Sequence, residues 1–323
     1  MRFNSSVLAC ALSLFVCASV SFGQEVNSAL LKYSWEPGHS TRYLMRIETT
    51  TASLGLPGTP DVQVKQHQDL VVKLTVVGVD DNGSGVLEYT PQIIRTKSTD
   101  PNGNEENIAT DADAPPDTPM AHLLQAMVGT SVRFLVSPTG EVLSVSGADR
   151  ARDEVIRELL QLNKDPEFEK QTRELVGAAF DKRGLQTSLE QMLLIVPNNE
   201  RSAGEHWKAR INLPIPVLGQ LSLSYDYTLS DITSTDDDPR AHIDSTILLE
   251  AQPVAGANLT DASGTLSAEF DLERSEIVSA NTRYEFTVEF EDPNANDGQQ
   301  NGPPPSIVLV STTELRRLEL KSE

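Results

Sequence analysis

Five histidines, His39, His67, His122, His206 and His242, are the side chains best suited to hold a metal or move a proton, yet their spacing assigns them neither task. None pairs with another at i, i+4 on a helix, and none sits in an HExxH-like setting, so zinc has no local signature. They read as surface or edge-strand residues. A Gly-x-Ser-x-Gly elbow for acyl transfer is absent, and Gly83-Ser84-Gly85 lacks the lysine and following helix of a phosphate loop, so it reads as a turn. The runs Asp80-Asp81-Asn82 and Asp236-Asp237-Asp238 are rich in oxygen, the element calcium requires. Neither has the calcium-loop spacing with its terminal glutamate, and both read as solvated turns. Paired carboxylates for glycoside hydrolysis are defined by separation in space, which leaves an acid-residue hydrolase as an alternative, though aromatic residues for sugar stacking make up only 5% of the chain. No catalytic residue, metal or cofactor is assigned.

The chain has 323 residues and a formal charge of −21, which sets it against nucleic acid and anionic lipid surfaces as partners. At its start, Arg2 is a short basic region, Val7 to Val20 an apolar core, and Ser21-Phe22-Gly23 a small-residue cleavage site. This is the pattern of a signal peptide over residues 1–23. The apolar run is too short for a transmembrane helix, so the expectation is an exported protein, periplasmic or extracellular, with no transmembrane segment in its mature chain. Cys10 and Cys17 both lie in the leader and would leave with it. The mature chain would then lack disulfide and thiol chemistry, and loss of Arg2 would take the charge from −21 to −22.

Any site must be positioned by three helices and the strands on either side of them. In Arg150 to Asn163, the residues Val155, Ile156, Leu159, Leu160 and Leu162 fall on one helical face. Asp165 is a suitable N-cap and Pro166 a suitable first residue for a second helix reaching about Lys182, with Gly184 as its stop. Leu185, Leu189, Met192, Leu193 and Val196 form a third stripe that ends at Pro197. A shorter helix is expected over Pro119 to Val128, with Met120, Leu123, Leu124 and Met127 inward.

Before these helices, Leu70, Val72, Leu74 and Val76 alternate with more polar residues, and Asp80-Asp81-Asn82-Gly83 supplies the positive φ angles of a hairpin turn. Ser98 to Thr118, rich in Asp, Asn, Pro and Gly, reads as a mobile loop. Ser131 to Ser146 reads as a hairpin about Ser137-Pro138-Thr139-Gly140. After the helices the order recurs. Gly204-Glu205-His206-Trp207 opens a strand as Gly38 to Tyr43 did, and Leu221, Leu223, Tyr225, Tyr227 and Leu229 alternate strictly with polar residues. Further strands are expected around Ile243 to Leu249, Leu266 to Phe270, Ile277 to Glu291 and Ile307 to Leu320. Trp35 and Trp207 are read as packing residues in equivalent places of two copies.

These elements predict an α+β protein: a large curved antiparallel sheet, or two half-barrels, built from a duplicated β unit, with central helices over the concave face. The units are placed at residues 24–147 and 198–323, with the helical insert at 148–197. An apolar groove is expected from Leu221, Leu223, Tyr225, Tyr227, Tyr284 and Phe286, lidded by Leu189, Met192 and Leu193.

Trp35-Glu36-Pro37-Gly38 through Tyr43, Asp80-Asp81-Asn82-Gly83-Ser84-Gly85, Val136 through Val142 and Gly204-Glu205-His206-Trp207 together resemble a family of exported bacterial proteins of unknown function. The resemblance implies no catalytic residues. The architecture is also similar to the curved sheets of periplasmic lipoprotein carriers, which hold acyl chains between sheet and helices. The expected function is therefore an exported, non-enzymatic binding module whose groove packs solidly or holds a lipophilic small molecule. An envelope structural or protein-interaction role is the alternative.

Overall fold

A computed structural model of the chain describes residues 28–56, 60–114, 117–215, 219–233, 238–251, 256–291 and 304–319. The expected leader with both cysteines, Asp236, Asp237 and Leu320 lie outside them. Strands β1 (Ser28–Leu31), β2 (Ser40–Leu54), β3 (Val62–Val79), β4 (Gly85–Thr99) and β5 (Glu105–Ala109) precede helix α1 (Pro119–Met127). A short hairpin, β6 (Val132–Val136) and β7 (Val142–Ser146), leads into helices α2 (Ala148–Leu162), α3 (Pro166–Ala179) and α4 (Lys182–Met192). Then follow β8 (Asn199–Ser202), β9 (His206–Ile215), β10 (Gly219–Thr233), β11 (Arg240–Ala251), β12 (Ala257–Asp271), β13 (Glu276–Phe290) and β14 (Ser306–Leu318).

One turn chemistry closes three of the hairpins. At Asp80 and at Asp100, the carboxylate Oδ1 accepts from the backbone N–H two and four residues on, at 2.8–2.9 Å. Ser137 Oγ accepts from Thr139 and Glu141 in the same way. In each turn the fourth residue is a glycine with φ between +80° and +85°, a region costly to side chains with a Cβ. The turn at Asp100-Pro101-Asn102-Gly103 corrects the expected mobile loop, because it folds β5 back along β4. What looked unstructured is an ordered edge hairpin, held by local side-chain bonds with one buried apolar residue, Ile108.

The twelve-stranded sheet runs β7-β6-β4-β3-β2-β14-β13-β12-β11-β10-β9, with β5 paired outside this path on β4. All its pairings are antiparallel, and β2 with β14 joins the strands before the helices to those after them. It is one open sheet, and β1 pairs separately with β8. The strand openings at Gly38 and Gly204 are built alike. Gly38 N–H donates to Val76 O, Val76 N–H to His39 O and His39 N–H to Glu36 O. Gly204, Leu229, Glu205 and Ser202 repeat these three bonds. Counting from the two glycines, Thr41 corresponds to Trp207, so the tryptophans do not occupy equivalent places: Trp35 lies before its turn and Trp207 after. Both do pack, Trp35 on Tyr33 at 4.9 Å and Trp207 on Tyr227 at 5.2 Å between ring centroids.

Among the described residues there are four helices, each starting for a local reason except α2. Thr118, Asp165 and Asp181 cap α1, α3 and α4 through side-chain oxygens, whereas Gly147 before α2 has no side chain to offer. Gly184 does not stop α3. That helix ends at Ala179, and Gly184 donates its N–H to the Asp181 cap inside the first turn of α4. Met120, expected inward, is 41% exposed, because the buried face of α1 is made by Ala121, Leu123 and Ala126. No helix among the described residues is long and apolar enough to cross a membrane.

The core is one cluster running from Leu31 and Tyr33 through the inner faces of β2–β4 and β9–β14 to the helices. The inward alternations Leu70-Val72-Leu74-Val76 and Leu221-Leu223-Tyr225-Tyr227-Leu229 are buried throughout.

Candidate binding site beneath the helical wedge

Helix α4 lies against both β7 and β9, the two ends of the open sheet. A sheet of this size can close on itself strand to strand; here a helix stands between its edges. Gln186 Nε2 donates to Val142 O on the β7 edge at 3.2 Å. After α4, the chain continues extended past both edges. Trp207 Nε1 of β9 donates to Ile195 O at 2.7 Å, Val196 N–H to Thr139 O at 2.9 Å and Leu194 N–H to the Tyr33 hydroxyl at 3.1 Å.

Of the nine expected groove residues, Leu189, Met192, Leu193, Leu221, Leu223, Tyr225, Tyr227 and Phe286 are at most 8% exposed, and Tyr284 is half-buried. Rings of Trp207, Tyr227 and Tyr225 stack in sequence at 5.2 and 5.3 Å. The space left is a cavity of about 20 Å³ lined by Glu190, Gln191, Leu193, Ile211, Tyr225, Tyr227, Leu266, Thr282, Tyr284 and Thr313. That is room for one water molecule, against the roughly 300–1,000 Å³ of a small-molecule pocket.

Several features make α4 a weakly held cover. Only Leu189 and Met192 of its 11 residues are buried, and isolated helices of this length are marginal in water. Gly184 costs about 1 kcal/mol relative to alanine in a helix interior, somewhat less this near the start. Ser188 turns its hydroxyl back onto Gly184 O, a bond that favours bending. Just before it in the chain, α3 buries only Thr172 and Val176. Segments with so few buried contacts open locally before the sheet does.

Burial raises the pKa of the Glu190 carboxyl; the Gln186 side-chain amide at 2.9 Å opposes the shift and the negative charge of Glu141 adds to it. Burial likewise pushes the Tyr225 and Tyr227 hydroxyls far up, so both are neutral donors. A carboxyl with a raised native pKa contributes stability while protonated, and that contribution is lost as pH rises through the native value. Glu190→Gln is therefore expected to raise Tm at pH 7, by about 1–2 °C. The gain should shrink on acidification, as differential scanning calorimetry at several pH values would record.

Sequence reasoning missed a second cluster, at the turn between β12 and β13. Arg317 Nη1 donates to Asp271 Oδ2 and Glu276 Oε1, both at 2.8 Å. Thr41 Oγ1 donates to Glu276 Oε2 at 2.6 Å, with His39 Nε2 at 3.4 Å, and Asp271 Oδ1 accepts from the N–H groups of Glu273 and Arg274. Burial opposes the Arg317 charge, but hydrogen bonding to Asp271 and the charge of both carboxylates outweigh it and hold the guanidinium above its ordinary range. Among the described residues no group of three or more acidic, histidine or cysteine side chains is arranged to hold a metal.

Two of the larger depressions are open, and the first is polar. One of about 870 Å³, between α2 and the ends of β4, β6 and β7, is lined in part by Glu88, Arg133, Arg150, Glu154, Arg157 and Glu158. Glu88 pairs with Arg133 and Glu154 with Arg150. Another of about 590 Å³ lies on the sheet face away from the groove, where Asp226, Thr246, Thr265 and Arg283 stand side by side across four strands.

The fold and this site define an open antiparallel sheet wedged by a helix over an aromatic-lined interior. The chain belongs to the family of unknown function DUF6263, whose model matches residues 82–273, from the β3–β4 turn through the helical insert to the β12–β13 turn. No curated protein matches it. Among solved structures it is similar to one of lipid–protein interactions in lipovitellin, with 12% identity and a TM-score of 0.46, over 90% of this chain and 26% of that one. The chain thus spans about a quarter of the lipovitellin chain. OccAB3 of Acinetobacter baumannii matches with 8% identity and a TM-score of 0.18 over 86% of this chain and 99% of that one. OccK5 (OpdH) of Pseudomonas aeruginosa matches with 7% identity and a TM-score of 0.20 over 89% and 100%.

Proposed function

We propose that the protein is an exported, non-enzymatic binding module that takes a lipophilic small molecule between α4 and the inner faces of β9–β14. The carrying observation is the wedge: a marginal helix, with two buried residues, covers an interior lined by Leu221, Leu223, Tyr225, Tyr227 and Phe286. Export rests on the leader pattern of residues 1–23. The non-enzymatic part is supported by the buried carboxylates Asp271 and Glu276, whose oxygens are occupied by Arg317, Thr41 and backbone N–H groups.

The test uses diphenylhexatriene, an uncharged lipophilic probe that fluoresces when shielded from water. Saturable binding by the mature chain is expected. Leu189→Ala, which removes the side chain by which α4 is anchored, should destabilise by about 2.7–5.0 kcal/mol in urea titrations while tightening probe binding, since the space it opens lies under the wedge. Absence of saturable binding by both proteins would remove the lipophilic reading. Cross-linking to envelope proteins in intact cells would then favour the protein-contact alternative.

A further inference from the structure

We infer that the mouth beneath α4 is a seat for an ammonium group, so that the preferred ligand is an amphiphile with a cationic amine head. The small cavity brings together Tyr225, Tyr227, Tyr284 and one carboxylate, Glu190. Tyrosine faces attract a cation through the ring quadrupole, and a carboxylate beside them supplies a charge-assisted hydrogen bond. Tyr227 is stacked between Trp207 and Tyr225, so the rings available to a cation are Tyr284 and the side of Tyr225 away from Tyr227, and with one acid beside them they make an electron-rich set suited to an alkylammonium. No lysine, arginine or histidine lines the cavity to compete for the acid. Glu190 Oε1 accepts from Gln186 Nε2, and Oε2 has no hydrogen-bond partner among the described residues. Glu141 adds negative potential from the β6–β7 turn. A carboxylate head at the same place would meet Glu190 and Glu141 with no counter-charge, and an alcohol would gain one hydrogen bond to the carboxylate without the attraction between opposite charges or the cation–π contact. The size agrees too, since about 20 Å³ suits a head the size of a single primary ammonium and excludes a bulky one.

This inference rests on the proposed lipophilic site in placing the alkyl tail under α4, and it is separately testable. Dodecylamine, dodecanol and dodecanoate, each below its micelle-forming concentration, are compared as competitors of diphenylhexatriene at pH 7. Dodecylamine is expected to compete about tenfold more strongly than the other two. Glu190→Gln should bring the three competitors close together, each read relative to the uncharged probe in the same variant, and Tyr284→Leu should weaken the amine preference without abolishing it. Equal competition by all three in the wild type, or a preference that survives Glu190→Gln, would overturn the inference and leave the lipophilic reading standing. Butylamine separates head from tail. Failure to displace the probe at concentrations where dodecylamine does so identifies an amphiphile, and chemical-shift changes at Glu190 and Tyr284 with butylamine alone identify a free amine of the same chemistry. If diphenylhexatriene does not bind at all, direct NMR titration with dodecylamine still decides: no shift at Glu190, Tyr225 or Tyr284 refutes the ammonium seat.

Discussion

Arg317→Met is expected to lower the unfolding free energy by about 3–5 kcal/mol, the cost of breaking a buried ion pair from one side. Arg317 is the only guanidinium in contact with Asp271 and Glu276 among the described residues, and these carboxylates are 4% and 8% exposed. Methionine preserves much of the buried stem, so the loss is chiefly that of two negative charges left without a counter-ion. His39, 3.4 Å from Glu276 and far more exposed, replaces little of it. The urea midpoint should therefore fall sharply with little change in slope. Removing all three charges, with Asp271→Asn and Glu276→Gln added to Arg317→Met, should recover a substantial part, because the penalty arises from unpaired burial and not from loss of the pair as such. A triple variant no more stable than the single one would mean that Arg317 acts by packing alone.

That cluster also marks where sequence reading fails. Its members come from residues 39–41, 271–276 and 317, three separate places in the chain, and burial of a charge leaves no trace in an apolar pattern. A signal was nevertheless present: Arg317 continues the alternation of Leu315, as Thr41 continues that of Tyr43 and Met45, so each was bound to point inward. Strict alternation made β10 legible to the residue, since a one-residue slip would put every tyrosine in water. β5 was not legible, because Glu105-Glu106-Asn107-Ile108-Ala109 has a single large apolar side chain to bury. Its turn carried the same chemistry recognised at Asp80. At α4 two cues competed, and the Asp181 cap prevailed over glycine as a terminator, shifting the helix start by a turn. Periodicity put eight of the nine expected groove residues in the buried core, whereas it gave no sign of Glu190 beside them. Glu190 lies between apolar Leu189 and Met192, and only the approach of β10 and β13 gives it aromatic company.

Gly140→Ala should be the most damaging single methyl group in the β6–β7 hairpin, at about 2–5 kcal/mol when left-handed strain and overpacking are combined. The backbone there has φ +85°, and a Cβ would meet Leu194 O and the Tyr33 ring at 2.4 and 2.7 Å. Gly103 has φ +82° in the same kind of turn with nothing within 4 Å, so Gly103→Ala incurs the strain without the collision. The difference between the two variants isolates the close approach of the hairpin to the chain leaving α4. Relief of that collision requires residues 194–196 to move, taking with them the Val196–Thr139 and Leu194–Tyr33 hydrogen bonds that tie the wedge to one edge of the sheet. Hydrogen exchange in α4 should therefore accelerate in Gly140→Ala and not in Gly103→Ala, at protein stabilities matched by urea. Should both variants change α4 equally, the hairpin contact is not what holds the helix between the two sheet edges, and access to the interior would have to be governed by α4 packing on β9 alone.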